Sequence, residues 1–341
     1  MMGERGLERM MDAVGATPEQ AEKLRTIFGK VRDELRPLRA ELRDSRDDVA
    51  KLLGAPTIDR AAAEKMRSDR FAQLDQASQM GLRTLTLSED RGGSGADALM
   101  ACIVAEELAV GDIDLAAVLM RPAALAPVVF DQLMNDEQRG RFLKAFQDDD
   151  RFHLAYAHRE PEADEALGIN YHRPVAVGSP ITTTATRDAK GDFVINGAKA
   201  CVHNAPVAKL FIVTVKTDAS KGVSTLLVPA DAAGLTVKAR AGGYTHGACG
   251  DLTFKDCRVP AANLLGQEGH DAIHALAASG RASPVIQALN IGTGRAAYES
   301  ALDYAQLRVQ GGRRIVEHQA IGARLADMVT RIETSRALVW Q

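Results

Sequence analysis

Cys201 and His203 lie two residues apart in the segment INGAKACVHNAPVAKLF (195–211), which otherwise has the pattern of β-structure. Alternate residues of a strand project to the same face, so the thiol and the imidazole would be neighbours. Such a pair could be a nucleophile with its base, half of a metal site, or neither. Tetrahedral zinc needs two more ligands, and Cys249 and Cys257 lack the spacing of a zinc motif. A nucleophile and its base would also need a third group to orient them.

Composition excludes several classes of protein. The chain has 341 residues, a formal net charge of −3 and only 4% aromatic residues, which argues against binding to nucleic acid or to an anionic membrane surface. The four cysteines are scattered without a C-x-x-C pair, so we expect a reducing compartment and no disulfide framework. No segment has the pattern of a signal peptide or of a membrane span. We therefore expect a soluble cytoplasmic protein.

The chain divides into three regions of different texture. Residues 1–150 are predicted to be helical, and within them residues 1–79 form a charged hairpin with an apolar stripe. The apolar stretch ALMACIVAEELAVGDIDLAAVLM predicts a helix buried in a bundle. Residues 151–265 are rich in β-branched residues at period two and predict a sandwich or barrel. Residues 266–341 return to a helical pattern, which continues to Gln341 without a stop signal and predicts a truncated bundle.

Seven strands are predicted in the β-region, separated by Gly, Pro and Asp. Their sequences are FHLAYAH, ITTTATRD, DFVINGAKACVHN, KLFIVTVKTD, VSTLLVPAD, LTVKARA and LTFKDCRVP. The expected fold class is therefore α+β, with a central β-domain between two helical domains.

A glycine turn with the helix after it, and five further segments in order, resemble landmarks of the acyl-CoA dehydrogenase family over roughly residues 80–341. The turn is LSEDRGGSGAD, and the five segments are REP, INGAKACVHNAPVAKLFIV, VSTLLVPADAAGLTV, LTFKDCRVPAANLLGQEGH and YAQLRVQGGRRIVEHQAIGARLADM. The resemblance implies an oligomeric, FAD-dependent enzyme of fatty acid β-oxidation that removes hydrogen from the α and β carbons of an acyl-CoA. It also implies an electron-transfer flavoprotein as the electron acceptor.

The resemblance implies site residues on two parts of the chain. Arg308 and Gln319 match an arginine and a glutamine that hold the diphosphate and adenine of FAD across a subunit interface. Cys201 and His203 stand where the family has a tryptophan over the flavin and a hydroxyl near its N5 atom. The likeness therefore favours a flavin pocket rather than a metal or nucleophile site. From the chemistry of the imidazole, and not from the family, we infer that His203 offers an N–H to the flavin ring.

Other positions depart from the family pattern. Arg159 replaces a threonine before Glu-Pro, and Gly311 replaces an aromatic residue. Arg281 matches an arginine near the substrate, but Gly280 stands where some members carry the catalytic glutamate. No catalytic base can therefore be named. The acidic loop after Pro161, with Glu162, Asp164 and Glu165, and the loop residue His246 are expected to be solvated, and Arg258 to be structural.

These departures leave a second function open. The chain could be a degenerate, non-catalytic partner subunit in a hetero-oligomeric acyl-CoA dehydrogenase. Residues 1–79 add a further alternative, because they resemble small helical stress-chaperone and heavy-metal-sensor proteins of the bacterial periplasm. They either belong to the dehydrogenase's N-terminal helices or form a fused metal-binding or chaperone module.

Overall fold

The computed structural model describes residues 78–161, 181–217, 222–240, 247–271 and 283–340, together with a few helical residues between 18 and 75. Most of the predicted N-terminal hairpin therefore lies outside the described residues. Those that are described, such as Pro18 and Ala61, are helical. Two compact units can be distinguished: residues 1–73, 97–116 and 284–341 form one, and residues 74–96 and 117–283 form the other. The three predicted domains remain a prediction.

The long apolar stretch after residue 97 is two helices rather than the single predicted helix. Helix α1 spans Ala98–Gly111 and α2 spans Ile113–Ala126. Asp112 separates them, because its Oδ1 accepts hydrogen bonds from the backbone N–H groups of Asp114 (2.8 Å) and Leu115 (3.0 Å). An aspartate at this position satisfies the free donors at the start of α2. The predicted burial is confirmed for α1, in which all but one residue from Met100 onward are buried.

Helix α2 continues through a π-helical turn to Leu133, and α3 follows at Asp136–Asp148. The segment Ile113–Leu133 is long and apolar enough to cross a membrane, but 67% of its most apolar window is buried inside the protein. Such burial is typical of a core helix, so its length and composition are weak evidence for a membrane span.

A glycine turn precedes α1 in the segment LSEDRGGSGAD. Gly92 has a φ of 74°, which glycine adopts without strain. A Cβ atom on Gly93 would lie 2.1 Å from the carbonyl oxygen of Leu87, so a side chain cannot fit there. The predicted turn is therefore confirmed, with a steric requirement for glycine.

All seven predicted strands are present. They are β1 (His153–Ala157), β2 (Thr184–Arg187), β3 (Phe193–His203), β4 (Ala208–Lys216), β5 (Val223–Pro229), β6 (Leu235–Ala239) and β7 (Cys249–Val259). A two-residue strand, β8 (Leu264–Leu265), was not predicted. The strands pair in the order β6-β7-β3-β2-β4-β5-β8. Strand β1 lies off this path and pairs in parallel with β4. Because β2 is also parallel to β4, the sheet is mixed.

The sheet folds around one apolar core. A single buried cluster takes side chains from β1, β2, β3, β4, β5 and β7, including Phe193, Phe211 and Phe254. Strands from both ends of the pairing order therefore face the same interior, as in the predicted sandwich or barrel. A second cluster, including Phe130 and Phe146, packs α2, its π-helical extension and α3 on the opposite face of β1, β4 and β5.

The C-terminal region contains two long helices joined by a hairpin. Helix α4 spans Ser283–Leu307, strands β9 and β10 are Val309–Gln310 and Arg313–Arg314, and helix α5 spans Gln319–Trp340. Gly292 lets α4 approach α1 closely, since a Cβ atom there would lie 2.4 Å from the carbonyl oxygen of Glu106.

His153 at the start of β1 makes stability depend on pH. Its side chain is 2% exposed, and burial, followed by the positive charge of Arg83, lowers its pKa to about 4. Between this value and the ordinary histidine pKa of about 6.5, the unfolded chain holds a proton that the folded chain does not. Stability is therefore full above pH 6.5 and falls as the pH is lowered towards 4, by at most about 1.4 kcal/mol per pH unit for this group.

The free energy of unfolding can be measured with urea across this pH window. We expect His153→Gln to remove the part of its pH dependence that His153 contributes. His270 is exposed, so His270→Gln is the control and should leave the slope unchanged. Equal slopes for the wild type and the His153 variant would contradict the assignment.

Candidate functional site

The end of β3 departs from regular strand geometry at Cys201. The pairing of β3 with β7 shifts register between Lys199 and Val202, and Cys201 has a φ of 51°. Its backbone N–H donates to Oδ1 of Asp251 (2.9 Å), which is also held by Arg240 (2.8 Å). A left-handed conformation at a non-glycine residue is uncommon, and a bulge of this kind re-aims a side chain.

This bulge brings two thiols together. Cys249 lies opposite His203 on β7, and its Sγ is 3.4 Å from Sγ of Cys201. The two cysteines are 48 residues apart, so local spacing gave no indication of the contact. Among the described residues, no group of three or more His, Cys, Asp or Glu side chains could hold a metal ion.

His203 is a neutral imidazole at physiological pH. Burial, followed by the charges of Arg121, His158 and Arg159, lowers its pKa to about 4. A neutral ring has one N–H donor and one acceptor nitrogen. Its Nδ1 is buried and has no hydrogen-bond partner in the described part of the chain. An unsatisfied buried polar atom is costly, so this nitrogen is suited to a polar group of a ligand.

Arg121 on α2 was not predicted as a site residue. Burial lowers the pKa of its guanidinium, which interacts electrostatically with Cys249, Cys201 and His203. Its Nε atom is buried without a partner among the residues described. The sequence did contain a signal, because Arg121 is the one positive charge on α2, a helix whose only other charged residue is Asp114 in its first turn.

Arg159 is placed beside the same strand. Its carbonyl oxygen accepts a hydrogen bond from the N–H of Ala200 (2.9 Å), next to Cys201. The structure therefore brings together three of the predicted cofactor residues: Arg159, Cys201 and His203. Their neighbour Arg121 adds a positive charge to the surroundings, which favours a ligand group with negative charge.

A buried ion pair underlies this contact. Nζ of Lys199 is 2.6 Å from Oε1 of Glu160, and the two side chains are 0% and 3% exposed. Glu160 also accepts hydrogen bonds from the hydroxyls of Thr182 (2.9 Å) and Thr183 (3.0 Å). Since Glu160 follows Arg159 and Lys199 precedes Ala200, the pair fixes the backbone on which the candidate site is built.

Arg308 and Gln319 lie in the other compact unit, at the two ends of the hairpin that joins α4 to α5. Both side chains are exposed. Arg308 donates to the side chain of Gln310 (3.3 Å), and His318 contacts the carbonyl oxygen of Gln310 (2.9 Å). Gly311 has a φ of 64°, which an aromatic residue would adopt only with strain. The positive φ of the turn therefore explains why glycine stands at position 311, where the family usually has an aromatic residue.

Several predicted residues lie outside the described residues. They are Glu162, Asp164, Glu165, His246, Gly280 and Arg281. Arg258 is described, and it forms an exposed ion pair with Asp188 (2.7 Å), in agreement with the predicted structural role.

Comparison with known proteins assigns all three regions to one family. The N-terminal, middle and C-terminal domain models of acyl-CoA dehydrogenase match residues 33–149, 175–257 and 267–341. The first match reaches into residues 1–79, beyond the motifs recognised in the sequence.

Two relatives and one solved structure illustrate the similarity. Isobutyryl-CoA dehydrogenase of Dictyostelium discoideum is 30% identical over 81% of this chain and 65% of its own length. Acyl-CoA dehydrogenase of Bacillus subtilis is 31% identical over 81% of this chain and 71% of its own. The Bacillus anthracis acyl-CoA dehydrogenase complexed with FAD is 25% identical, with a TM-score of 0.71 over 95% of this chain and 51% of that one.

The chain thus spans less than two thirds of the Dictyostelium protein that it matches. The three domain matches follow one another in the family's order, and the fold agrees with that of a solved member. The chain belongs to the acyl-CoA dehydrogenase family.

Proposed function

We propose that the protein binds FAD and takes part in the α,β-dehydrogenation of an acyl-CoA thioester, with an electron-transfer flavoprotein as the electron acceptor. Family membership supports the reaction class, and the FAD complex of the Bacillus anthracis protein supports the cofactor. The single observation that carries the proposal is a pair of buried atoms that have no hydrogen-bond partner within the described ranges of the chain, Nδ1 of His203 and Nε of Arg121. Both atoms fit a polar group bound against the end of β3.

The residues around β3 would hold and orient the flavin ring. His203 is neutral, so it can donate one hydrogen bond without placing a full charge beside the ring. Arg121 and Arg159 make the surroundings positive and favour a ring that carries negative charge. When bound, FAD supplies the acceptor for the hydride from the substrate's β-carbon.

Arg308 and Gln319 would hold the diphosphate and adenine of the cofactor. A guanidinium suits a diphosphate because its planar fork can donate two parallel hydrogen bonds. Large apolar side chains close to Arg308 in the sequence are exposed on the surface of its unit: Tyr304 is 60% exposed, Leu307 is 81% exposed and Val309 is 58% exposed. Exposed apolar groups beside a charged ligand contact support a second subunit at this position. We therefore propose an oligomer, made of copies of this chain or of this chain with a related one.

The proposal assigns no residue to removal of the substrate's α-proton. Gly280 cannot do so, and Arg281 is proposed only as a substrate contact. The compartment proposed is the cytoplasm, in keeping with the free thiols of all four cysteines.

The test is a visible absorption spectrum of the purified protein, followed by anaerobic addition of butyryl-CoA. A flavin band that bleaches with this probe supports dehydrogenation. A flavin band that does not bleach supports the degenerate partner subunit. The departures from the family pattern at Arg159, Cys201 and His203 favour that alternative. Protein without flavin after incubation with excess FAD contradicts the proposed cofactor site.

We expect Arg308→Met to weaken FAD binding at least tenfold, because it removes a charge-assisted contact to the diphosphate. Arg308→Lys should recover part of the loss, since it keeps the charge but not the fork. Arg331, an exposed arginine paired with Asp327 on α5, provides the control Arg331→Met, which should bind FAD as the wild type does. Equilibrium titration with FAD, followed by flavin fluorescence, measures all three. Equal affinity for the two methionine variants would remove Arg308 from the site.

A further inference from the structure

The pair Cys201 and Cys249 has the geometry of a redox-active dithiol. Their Sγ atoms are 3.4 Å apart, whereas a disulfide requires about 2.05 Å, so closure needs a movement of roughly 1.4 Å. Cys201 sits in the bulge of β3, and its N–H is held by the carboxylate of Asp251 rather than by the backbone of β7. The N–H of Cys201 therefore takes no part in a ladder hydrogen bond that closure would break.

The two thiols are not equivalent. Cys201 is half-buried, whereas Cys249 is 4% exposed. Burial, followed by its hydrogen bond to Cys201, raises the pKa of Cys249 to about 11. The Cys249 thiol donates to the Cys201 sulfur, and the guanidinium of Arg121 interacts with both. Cys201 is the more exposed of the two sulfurs and is the one that an external disulfide can reach, so Cys201 is the attacking sulfur and Cys249 the resolving one.

We propose that Cys201 and Cys249 form a reversible disulfide by exchange with a low-molecular-weight disulfide such as oxidised glutathione. The Cys201 thiolate attacks one sulfur of that disulfide, and the other sulfur leaves as a thiolate. The released thiolate takes up the proton of Cys249, whose sulfur then displaces the second thiol from Cys201. In the balance, two cysteine thiols are oxidised and one external disulfide is reduced to two thiols.

This disulfide would change the candidate flavin site. It would tie the end of β3 to β7 on the face that carries His203, which lies directly opposite Cys249. The proposal concerns the thiols alone and holds whether or not FAD binds.

The experiment treats the full-length protein, in its native state, with oxidised glutathione. Thiols are then counted after denaturation, and non-reduced peptides are mapped by mass spectrometry. We expect two of the four thiols to be lost, one linked peptide pair joining Cys201 to Cys249, and full recovery with dithiothreitol. Cys249→Ser should stop at a glutathione adduct on Cys201, and Cys201→Ser should lose no thiol.

Cys257 is the matched control, because it is buried on the same strand as Cys249. Cys257→Ser should form the same linked pair as the wild type. Wild-type protein that accumulates only a glutathione adduct, keeps all four thiols, or links Cys102 or Cys257 would overturn the proposal. The peptide map of the wild type decides the question even if a variant fails to fold.

Discussion

Glu160→Gln should lower the stability of the β-sheet unit by about 3–5 kcal/mol, the usual cost of removing one partner of a buried ion pair. The ammonium of Lys199 is fully buried, and Glu160 is the carboxylate that it contacts. Among the described residues, its other hydrogen-bond acceptors, the carbonyl oxygen of His158 (3.3 Å) and the hydroxyl of Thr214 (3.4 Å), carry no charge, although the charge of Asp271 also acts on it. For a unit of this size, the change corresponds to a fall in melting temperature of roughly 10 °C, measured by calorimetry.

The loss should shrink as the pH is raised. Burial already lowers the pKa of Lys199, and removal of the Glu160 charge would lower it further. The unfolded variant then holds a proton that the folded variant lacks, so its stability rises with pH up to the ordinary lysine pKa of about 10.4.

Two controls separate the buried pair from a general effect of charge. The double variant Glu160→Gln/Lys199→Met should be more stable than Glu160→Gln alone, because no unpaired charge remains. Lys144 forms an exposed pair with Asp148, so Lys144→Met should change stability by less than about 0.5 kcal/mol. A double variant no more stable than the single one would contradict the ion-pair explanation. If the pair also fixes the candidate site, Glu160→Gln should bind less FAD below its melting temperature.

Glu106→Ala should destabilise the unit that contains α1, α4 and α5 by a similar amount, about 3–5 kcal/mol. Glu106 is 3% exposed and joins the guanidinium groups of two other helices. Its carboxylate contacts Arg295 of α4 (2.9 Å) and Arg336 of α5 (2.7 Å). Its removal leaves Arg295 with Glu107 and Glu299, and Arg336 with Glu333, as counter-ions, so the cost lies at the lower end of this range.

This effect can be measured by urea unfolding and by hydrogen exchange of amides in α4 and α5. Glu317 is exposed in the hairpin, so Glu317→Ala is the control, with an expected change below about 0.5 kcal/mol. Glu106→Gln should lie between the two, because it keeps an acceptor but loses the charge. Equal stability of the two alanine variants would contradict the inference that Glu106, with Arg295 and Arg336, holds the three helices together.

The strands could be predicted from sequence because each one carries its own signal. Period-two patterning and Gly, Pro or Asp at the ends located all seven, from His153 to Val259. The break between α1 and α2 was missed because the long apolar stretch on either side outweighed the local signal of Gly111 and Asp112. Only the side chain of Asp112, acting as a cap, ends one helix and begins the next.

The candidate site was predictable only in part. Resemblance placed Arg159, Cys201 and His203 at one pocket, and the structure brings them together. The resemblance did not indicate Arg121, which lies on α2, 80 residues before Cys201 in the sequence. The same holds for the buried pairs, whose partners are 39 residues apart for Glu160 and Lys199 and 189 apart for Glu106 and Arg295. Contacts between residues so distant in sequence depend on the tertiary fold, which local patterns do not encode.

Gly292 links steric fit to electrostatics in the helical unit. Arg295 lies three residues further along α4, on the same side of the helix. A methyl group at position 292 would meet the backbone of Glu106 and push the two helices apart. The guanidinium would then lose its reach to the carboxylate that it neutralises. The salt bridge thus depends on a residue without any charge, and a hydrogen atom in place of a side chain sets the distance at which opposite charges can meet.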